Sequence, residues 1–578
     1  MLLLTSIPPI TGPILSPLMT PITVLLPQWM LIILFAVIPF YMWLNYWPGR
    51  KAKVIPIRAS AFSPDKVPTN IDSIVIGSGS GGSSCSNILA QSGQKVLLLE
   101  QHEERTGGCT HTFRINNCEF DSGLHYTSEG MGLPTHRAGA LLKFMSRGKQ
   151  EWKRLDDPYD QVIFPHDQNV APGHLYEDCP TAPPGNEPDP VLRRLKAVLN
   201  HPIGDYAVQP REATFAAQGI TMAHYMEGAA YTVGPTGNIS IRNSSMLRNF
   251  GGEVLCDATV EQIIIENGRA VGVLVRNTSA GEDGPTTEIR AKNIVCATSV
   301  FNLHNKLLPK DHPSVKAFHD ETKRTITPSN GHVFLFCKIR GEAEELELPR
   351  HNLWYFHSYD MDQAFDQYYA DPVAHRPPTV YVGFPCTKDP TWSKRLPGVS
   401  NAILISDGLF QWFEKWHGTH VHERGDDYEK FKDQLATHLL EILYETVPQC
   451  KGKVDYWTLG TPLTEVSYLA SYHAASYGTK CDTNIFNRLN DKWTTNPRTS
   501  IPGLYMAGSD AFLPAVCGAM YGGILGASCI LGYGGSLRMA FAFLSEFAND
   551  LQEENPKMSR VAAYLMAFKN FVTEPVAN

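Results

Sequence analysis

Ile71-Asp72-Ser73-Ile74-Val75-Ile76-Gly77-Ser78-Gly79-Ser80-Gly81-Gly82 is the stretch on which the fold turns. Residues 71–76 read as a short buried strand that runs directly into GxGxxG at Gly77, Gly79 and Gly82. Each glycine has its own reason to lack a Cβ. Gly77 permits the tight turn, Gly79 lets a pyrophosphate approach the backbone, and Gly82 lets the next helix lie close to the strand. A helix over residues 83–92 then aims its N-terminal amides at the phosphates. A second strand, residues 95–99, ends in Glu100, where an acid can bind ribose hydroxyls. A lone GxGxxG is a weak signal, but one set between a strand and a helix with the acid in place is strong. The expected fold class is α/β, built on a dinucleotide-binding Rossmann domain.

The fingerprint alone does not choose between nicotinamide and flavin. Just past Glu100, Arg105-Thr106-Gly107-Gly108-Cys109 forms a second close-approach loop. Near the other end of the chain, residues 501–510 read as turn, strand and then Gly508-Ser509-Asp510. Asp510 is suited to accept hydrogen bonds from a ribityl chain, which NAD lacks. Gly518-Ala519-Met520-Tyr521-Gly522-Gly523 opens another helix, whose dipole can stabilise negative charge on a reduced isoalloxazine. FAD is therefore the expected cofactor. Between these pieces, residues 251–254 and 260–264 read as strands, with Val260 placed at the cofactor and Gly268 at a hairpin. Residues 294–298 return as a buried strand ending in small residues.

With 578 residues the chain is too long for one core. Its 50 Lys and Arg against 58 Asp and Glu give a net charge of -8, which argues against binding a run of nucleic-acid phosphates. The 12 cysteines include no CxxC pair, so no metal site is expected and buried thiols are the default reading. No charged residue precedes Arg50, and residues 24–47 are apolar enough to cross a bilayer, with Trp29, Trp43 and Trp47 near the ends. Arg50, Lys51 and Lys53 follow, so an anchor would leave the body on the cytoplasmic side. A cleaved signal or a plastid-type targeting sequence is the alternative.

The expected layout is an N-terminal hydrophobic anchor (1–53), a linker (54–70) and a discontinuous FAD-binding domain (71–148, 219–302 and 494–536). A mixed α+β substrate domain (149–218 and 303–493) is inserted, and a helical segment (537–578) closes the chain. That last segment is expected to pack on the body, with a membrane-surface helix as the alternative.

Several blocks carry a family resemblance. Glu119-Phe120-Asp121-Ser122-Gly123-Leu124-His125-Tyr126, Lys388-Asp389-Pro390-Thr391-Trp392 and Trp412-Phe413-Glu414-Lys415-Trp416 resemble blocks of the retinol saturases. Gly460-Thr461-Pro462-Leu463-Thr464 is similar to a motif of the polyene desaturases. The resemblance runs from about residue 61 to about residue 531 and extends more distantly to carotenoid isomerases and phytoene desaturases. It implies a glutathione-reductase-like FAD enzyme on the endoplasmic reticulum membrane, saturating one double bond of a retinoid; a plastid membrane is the alternative location. Tyr231-Thr232-Val233-Gly234-Pro235 departs from the family's turn, and residues 167–190 are unusually rich in proline and polar side chains. Both stretches are expected to border a polyene tunnel.

Reducing an alkene needs a hydride on one carbon and a proton on the other. His125 is the first expectation for the proton donor, with Tyr126 beside it and Tyr521 on the helix facing the flavin. A structural hydrogen bond is the competing reading for His125 and for Asp121. Tyr472, His473 and Tyr477 are candidates for a tunnel wall, with plain core as the alternative. No second Rossmann unit is visible, so electrons are expected from a transiently bound NAD(P)H or from an electron-donor protein. Isomerisation of a carotenoid on the same flavin is the second reading, and non-catalytic lipid binding the third.

Overall fold

Runs such as Ile74-Val75-Ile76 and Leu97-Leu98-Leu99 offer no polar face to water, so their strands need cover on both sides. The computed structural model describes residues 59–572 apart from 104, 134–135, 147–149, 165–194, 196, 227, 324 and 485–491. It places both runs at the centre of a six-stranded parallel sheet. The strand order is Ser60–Ala61, Glu253–Cys256, Val96–Leu99, Ser73–Ile76, Asn293–Cys296 and Leu504–Met506. Alternation sorts the side chains. Val75, Leu98 and Val295 pack with the helices Ser80–Gln91 and Ala515–Glu554. Ile74, Leu97, Leu255 and Ile294 turn to the other face, with Ile263, Val273 and Val275. Those three belong to an antiparallel sheet of Ala258–Glu266, Arg269–Asn277 and Thr286–Arg290. Its first hairpin closes on Asn267 and Gly268, both at positive φ (50° and 75°), as a two-residue turn matched to strand twist requires.

The helix after the fingerprint begins at Ser80, three residues before the start expected from sequence, with Gly79 as its N-cap. Glycine's poor helix propensity hides that start, but close packing demands it. A Cβ on Gly82 would stand 1.9 Å from the Gly77 carbonyl oxygen, and one on Gly81 would stand 2.3 Å from the Gly508 Cα. The opposing helix meets this face with glycines of its own. A Cβ on Gly522 would reach 2.1 Å from the Gly508 oxygen, and one on Gly523 would reach 2.2 Å from the Gly81 oxygen.

A second six-stranded sheet runs Val454–Gly460, Gly331–Arg340, Val399–Gly408, Thr379–Gly383, Asn352–Phe356 and Asp160–Ile163. All its pairings are antiparallel except the last, between Asn352–Phe356 and Asp160–Ile163. Leu435, Leu439, Ile442 and Leu443 form the apolar stripe of the helix Asp426–Thr446 and pack in the same core as Leu335 and Leu404 of the sheet. Residues 149–218 and 303–493 therefore share a sheet. Trp152–Arg154 also pairs with Ala229–Thr232, so a small three-stranded sheet joins residues on either side of position 218.

The helix Ala515–Glu554 is interrupted at Gly532 (φ 65°, ψ −174°). It is long and apolar enough to cross a membrane, yet Gly518, Gly522, Gly523 and Gly526 bury its first half against the protein. Beyond the break, Met539, Phe543, Leu544 and Phe547 are buried as well, while the final helix Arg560–Val572 leaves Val561, Leu565 and Phe568 exposed. The candidate anchor, residues 1–53, and the stretch 167–190 lie outside the described residues.

Candidate active site

Parallel strands in register end at one edge of a sheet, and their next residues build the site. Gly77 N–H donates to the Leu99 carbonyl at 2.8 Å, Ala297 N–H to Ile76 at 2.9 Å and Ala507 N–H to Cys296 at 2.9 Å. The residues that follow these strands, among them Gly77, Gly79, Glu100, Val260, Gly508 and Asp510, line one cavity of about 1290 Å³. Arg105, Gly107, Gly108 and Ala519 line it too. Gly82 does not; it is the packing glycine of the turn.

The fit to a dinucleotide can be tested at the fingerprint itself. A Cβ on Gly79 would meet nothing within 4 Å, although its neighbours Gly81 and Gly82 have no room at all. Gly79 thus faces an open cradle at the N-terminus of a 12-residue helix, where partial positive charge suits a pyrophosphate. Glu100 is buried at its rim; its carboxylate accepts the Ser78 N–H at 3.0 Å and the Ser78 hydroxyl. Gly107 (φ 122°) and Gly108 (φ 53°) take conformations that disfavour a side chain, and a Cβ on Gly107 would strike Ser240 Oγ at 1.9 Å. Arg105 donates to the Thr112 carbonyl.

Asp510 has a second duty that the sequence did not disclose. Its two carboxylate oxygens accept the Val300 and Thr479 N–H groups, each at 2.9 Å. Asp121, by contrast, is away from the cavity. Buried at 4% exposure, it accepts the Thr112 hydroxyl at 2.7 Å, the Thr236 hydroxyl at 2.8 Å and the Tyr231 hydroxyl. Tyr231 is therefore core, not tunnel wall: its phenol is spent on Asp121 and it does not line the cavity. His473 is also off the wall, stacked on Phe410 and Tyr472, whereas Tyr472 and Tyr477 lie on it.

The cavity continues from the cradle into an aromatic compartment. Tyr126 stacks on Tyr225 with centroids 4.9 Å apart and on Tyr381 at 5.9 Å, and Trp354 meets Tyr381 edge-on at 5.3 Å. Flat π faces of this kind suit a conjugated apolar chain. His125 lines the compartment with neither ring nitrogen hydrogen-bonded. Burial, then the nearby Lys388, pushes its ring down to about 3. The neutral form of the ring is therefore favoured, and it can accept or donate a hydrogen bond inside the compartment. Tyr521 lies on the wall with its ring 6.1 Å from Phe512.

Sequence reasoning missed a buried polar network around this compartment. Lys388, 2% exposed, donates to the Tyr381 hydroxyl at 3.0 Å, the His125 carbonyl at 3.4 Å and Asn352 Oδ1. Burial holds it down at about 7. Asn352 donates onward to Asp160 at 2.7 Å. The Tyr126 hydroxyl stands 3.4 Å from both Asp160 Oδ2 and Asp205 Oδ2. Burial, with Asp160 adding to it, pushes Asp205 up to about 8. On another wall, burial also raises Glu465 to about 8 and Asp407 to about 6. Lys388 stood inside a recognisable block, but nothing in the local sequence announces that it is buried.

Residues 75–138 match the NAD(P)-binding Rossmann-like domain family. All-trans-retinol 13,14-reductase from Homo sapiens is 30% identical over 550 residues, covering 82% of this chain and 87% of that protein. The chloroplastic prolycopene isomerase of Daucus carota is 25% identical over 305 residues, covering 50% of this chain and 42% of that one. Among solved structures, cyclohexylamine oxidase from Brevibacterium oxydans superposes with a TM-score of 0.50 at 16% identity, covering 82% of this chain and 99% of that one, a likeness of fold.

Proposed function

This chain belongs to the all-trans-retinol 13,14-reductase family, and from that premise we propose that it binds FAD and saturates one carbon–carbon double bond of all-trans-retinol, giving 13,14-dihydroretinol. The observation that carries this reading is the single cavity in which a dinucleotide cradle opens onto a compartment walled by Tyr126, Tyr225, Trp354 and Tyr381. A reduced flavin, when bound, supplies two electrons as hydride.

In this reading Gly77, Gly79 and the following helix receive the pyrophosphate, and Glu100 binds adenosine ribose. Arg105, Gly107, Gly108 and Val260 flank that half, while Gly508, Asp510 and Ala519 hold the ribityl and ring half. The aromatic walls orient the polyene and exclude water, which strengthens every electrostatic contact inside. His125, with two unpartnered nitrogens, gives a hydrogen bond to the ligand. Tyr126 connects the compartment to buried carboxyl groups, and Tyr521 packs where the ring half lies. The electron donor is NAD(P)H bound transiently or a redox partner protein. Residues 1–53 anchor the protein to the endoplasmic reticulum membrane, from which an apolar substrate reaches the cavity.

The test is anaerobic mixing of flavin-reduced protein with all-trans-retinol. Flavin reoxidation with loss of one double bond is the expected result. Isomerisation with the flavin still reduced would favour the second reading, which the carrot isomerase resemblance supports, and no change in either would overturn both.

A further inference from the structure

Resting on the reading that this cavity reduces an alkene, we propose that Asp205 is the acid that protonates the substrate carbon, and that it is reloaded from solvent through Tyr126, Asp160 and His201.

The chain of groups is continuous and has two distinct ends. Asp205 lines the aromatic compartment, and one of its oxygens faces the Tyr126 hydroxyl at 3.4 Å. That hydroxyl is also 3.4 Å from Asp160 Oδ2. Asp160 in turn stands 3.9 Å from His201 Nε2, and the two side chains are 9% and 23% exposed. His201 Nδ1 is engaged with the Val198 carbonyl at 3.1 Å, which leaves Nε2 to exchange protons. His201 thus reaches the surface, Asp205 reaches the substrate space, and a phenol joins them.

Two carboxyl groups sharing one buried phenol cannot both be charged without a large electrostatic cost, so the pair retains a proton at neutral pH. The other groups acting on Asp205 agree. Tyr225, Tyr381, Tyr206 and Tyr477 surround it as neutral phenols, and Lys388 lies behind Asn352 on the Asp160 side. No cation pairs directly with Asp205 among the described residues. Glu465 and Asp407, two further acids on the wall, sit beside His332, which is itself buried.

The step balances as follows. The alkene π bond breaks, and two C–H bonds form, one with hydride from the two-electron-reduced flavin, which is thereby oxidised. The other takes the Asp205 proton as its O–H bond breaks, leaving a carboxylate. Asp160, the charged member of the pair, then takes a proton from solvent by way of His201 and hands it to the Tyr126 oxygen as Tyr126 passes its own hydroxyl proton to Asp205, so no phenolate accumulates and the pair again holds one proton.

The experiment compares first-turnover and steady-state rates of full-length, FAD-loaded protein, anaerobically, with all-trans-retinol and excess dithionite. Asp205→Asn is expected to slow the first turnover by about 100-fold, within the range for loss of a general acid, with Asp205→Glu restoring part of it. Tyr126→Phe leaves the first proton in place but cuts its replacement. The ratio of steady-state to first-turnover rate is expected to fall about 10-fold, a split that misfolding or loose packing would not produce. If native protein reduces retinol and Asp205→Asn stays within about 3-fold of it, the acid is elsewhere and the proposal falls while the function stands. If Tyr126→Phe slows both phases alike, or neither, the relay is overturned. Failure of the native protein to reduce retinol overturns the proposal together with the function beneath it.

Discussion

Gly79 and Gly82 stand three residues apart in one motif and answer to different demands. A Cβ at 79 enters open cavity, whereas a Cβ at 82 meets the Gly77 oxygen at 1.9 Å. Gly79→Ala is therefore expected to fold with near-native stability and lose flavin affinity. Gly82→Ala is expected to lose about 1–3 kcal/mol as well, as overpacked sites do. Urea denaturation read by tryptophan fluorescence, alongside flavin content, separates the two. Lys388 gives a second prediction at this scale. Its ammonium is depressed to about 7 in the folded protein from an ordinary 10.5. Between those values the unfolded chain binds one more proton than the native state, so stability rises with pH across that window, by up to about 1.4 kcal/mol per unit. In Lys388→Met that rise is expected to disappear, which thermal melts from pH 7 to 10 would reveal.

The elements that hold the cofactor space are two helices crossing on glycine. The helix Ser80–Gln91 presents Gly81, and the helix Ala515–Glu554 presents Gly522 and Gly523, so backbone meets backbone where side chains would hold the helices apart. Gly523→Ala, whose Cβ would lie 2.2 Å from the Gly81 oxygen, is expected to destabilise by about 1–3 kcal/mol and to release flavin. A midpoint in urea unchanged from native would show that the crossing tolerates separation. These elements were legible because each glycine expresses a local backbone requirement, and because buried parallel strands leave continuous apolar runs such as Leu97-Leu98-Leu99. The helix start at Ser80 was not, since propensity speaks against Gly81 and Gly82 while tertiary packing insists on them. Asp205, Asp160 and Lys388 were also illegible. They come together from segments more than 40 residues apart, and no spacing rule relates them.

At the scale of the molecule, the walls of the cavity are built by residues from Ile76 to Tyr521 among the described residues. Deleting residues 1–53 is expected to yield a protein that keeps its flavin but no longer sediments with membranes. Retention on vesicles would shift the membrane contact to exposed apolar side chains such as Val561, Leu565 and Phe568. That strands near both chain ends share one sheet was readable from the motifs there; the small sheet joining Trp152–Arg154 to Ala229–Thr232 was not, because short edge pairings carry little sequence signal.

One parallel sheet takes its central strand from Ser73–Ile76 and an edge strand from Leu504–Met506. During synthesis the ribosome delivers these two strands tens of seconds apart. From its own synthesis until Leu504–Met506 arrives, Asn293–Cys296 waits with a bare edge, and the cavity has only part of its wall. The glycine crossing that shapes the cradle is completed only with residue 523, and a chain that stops before Leu504 is expected to leave the Asn293–Cys296 edge unpaired and open to aggregation.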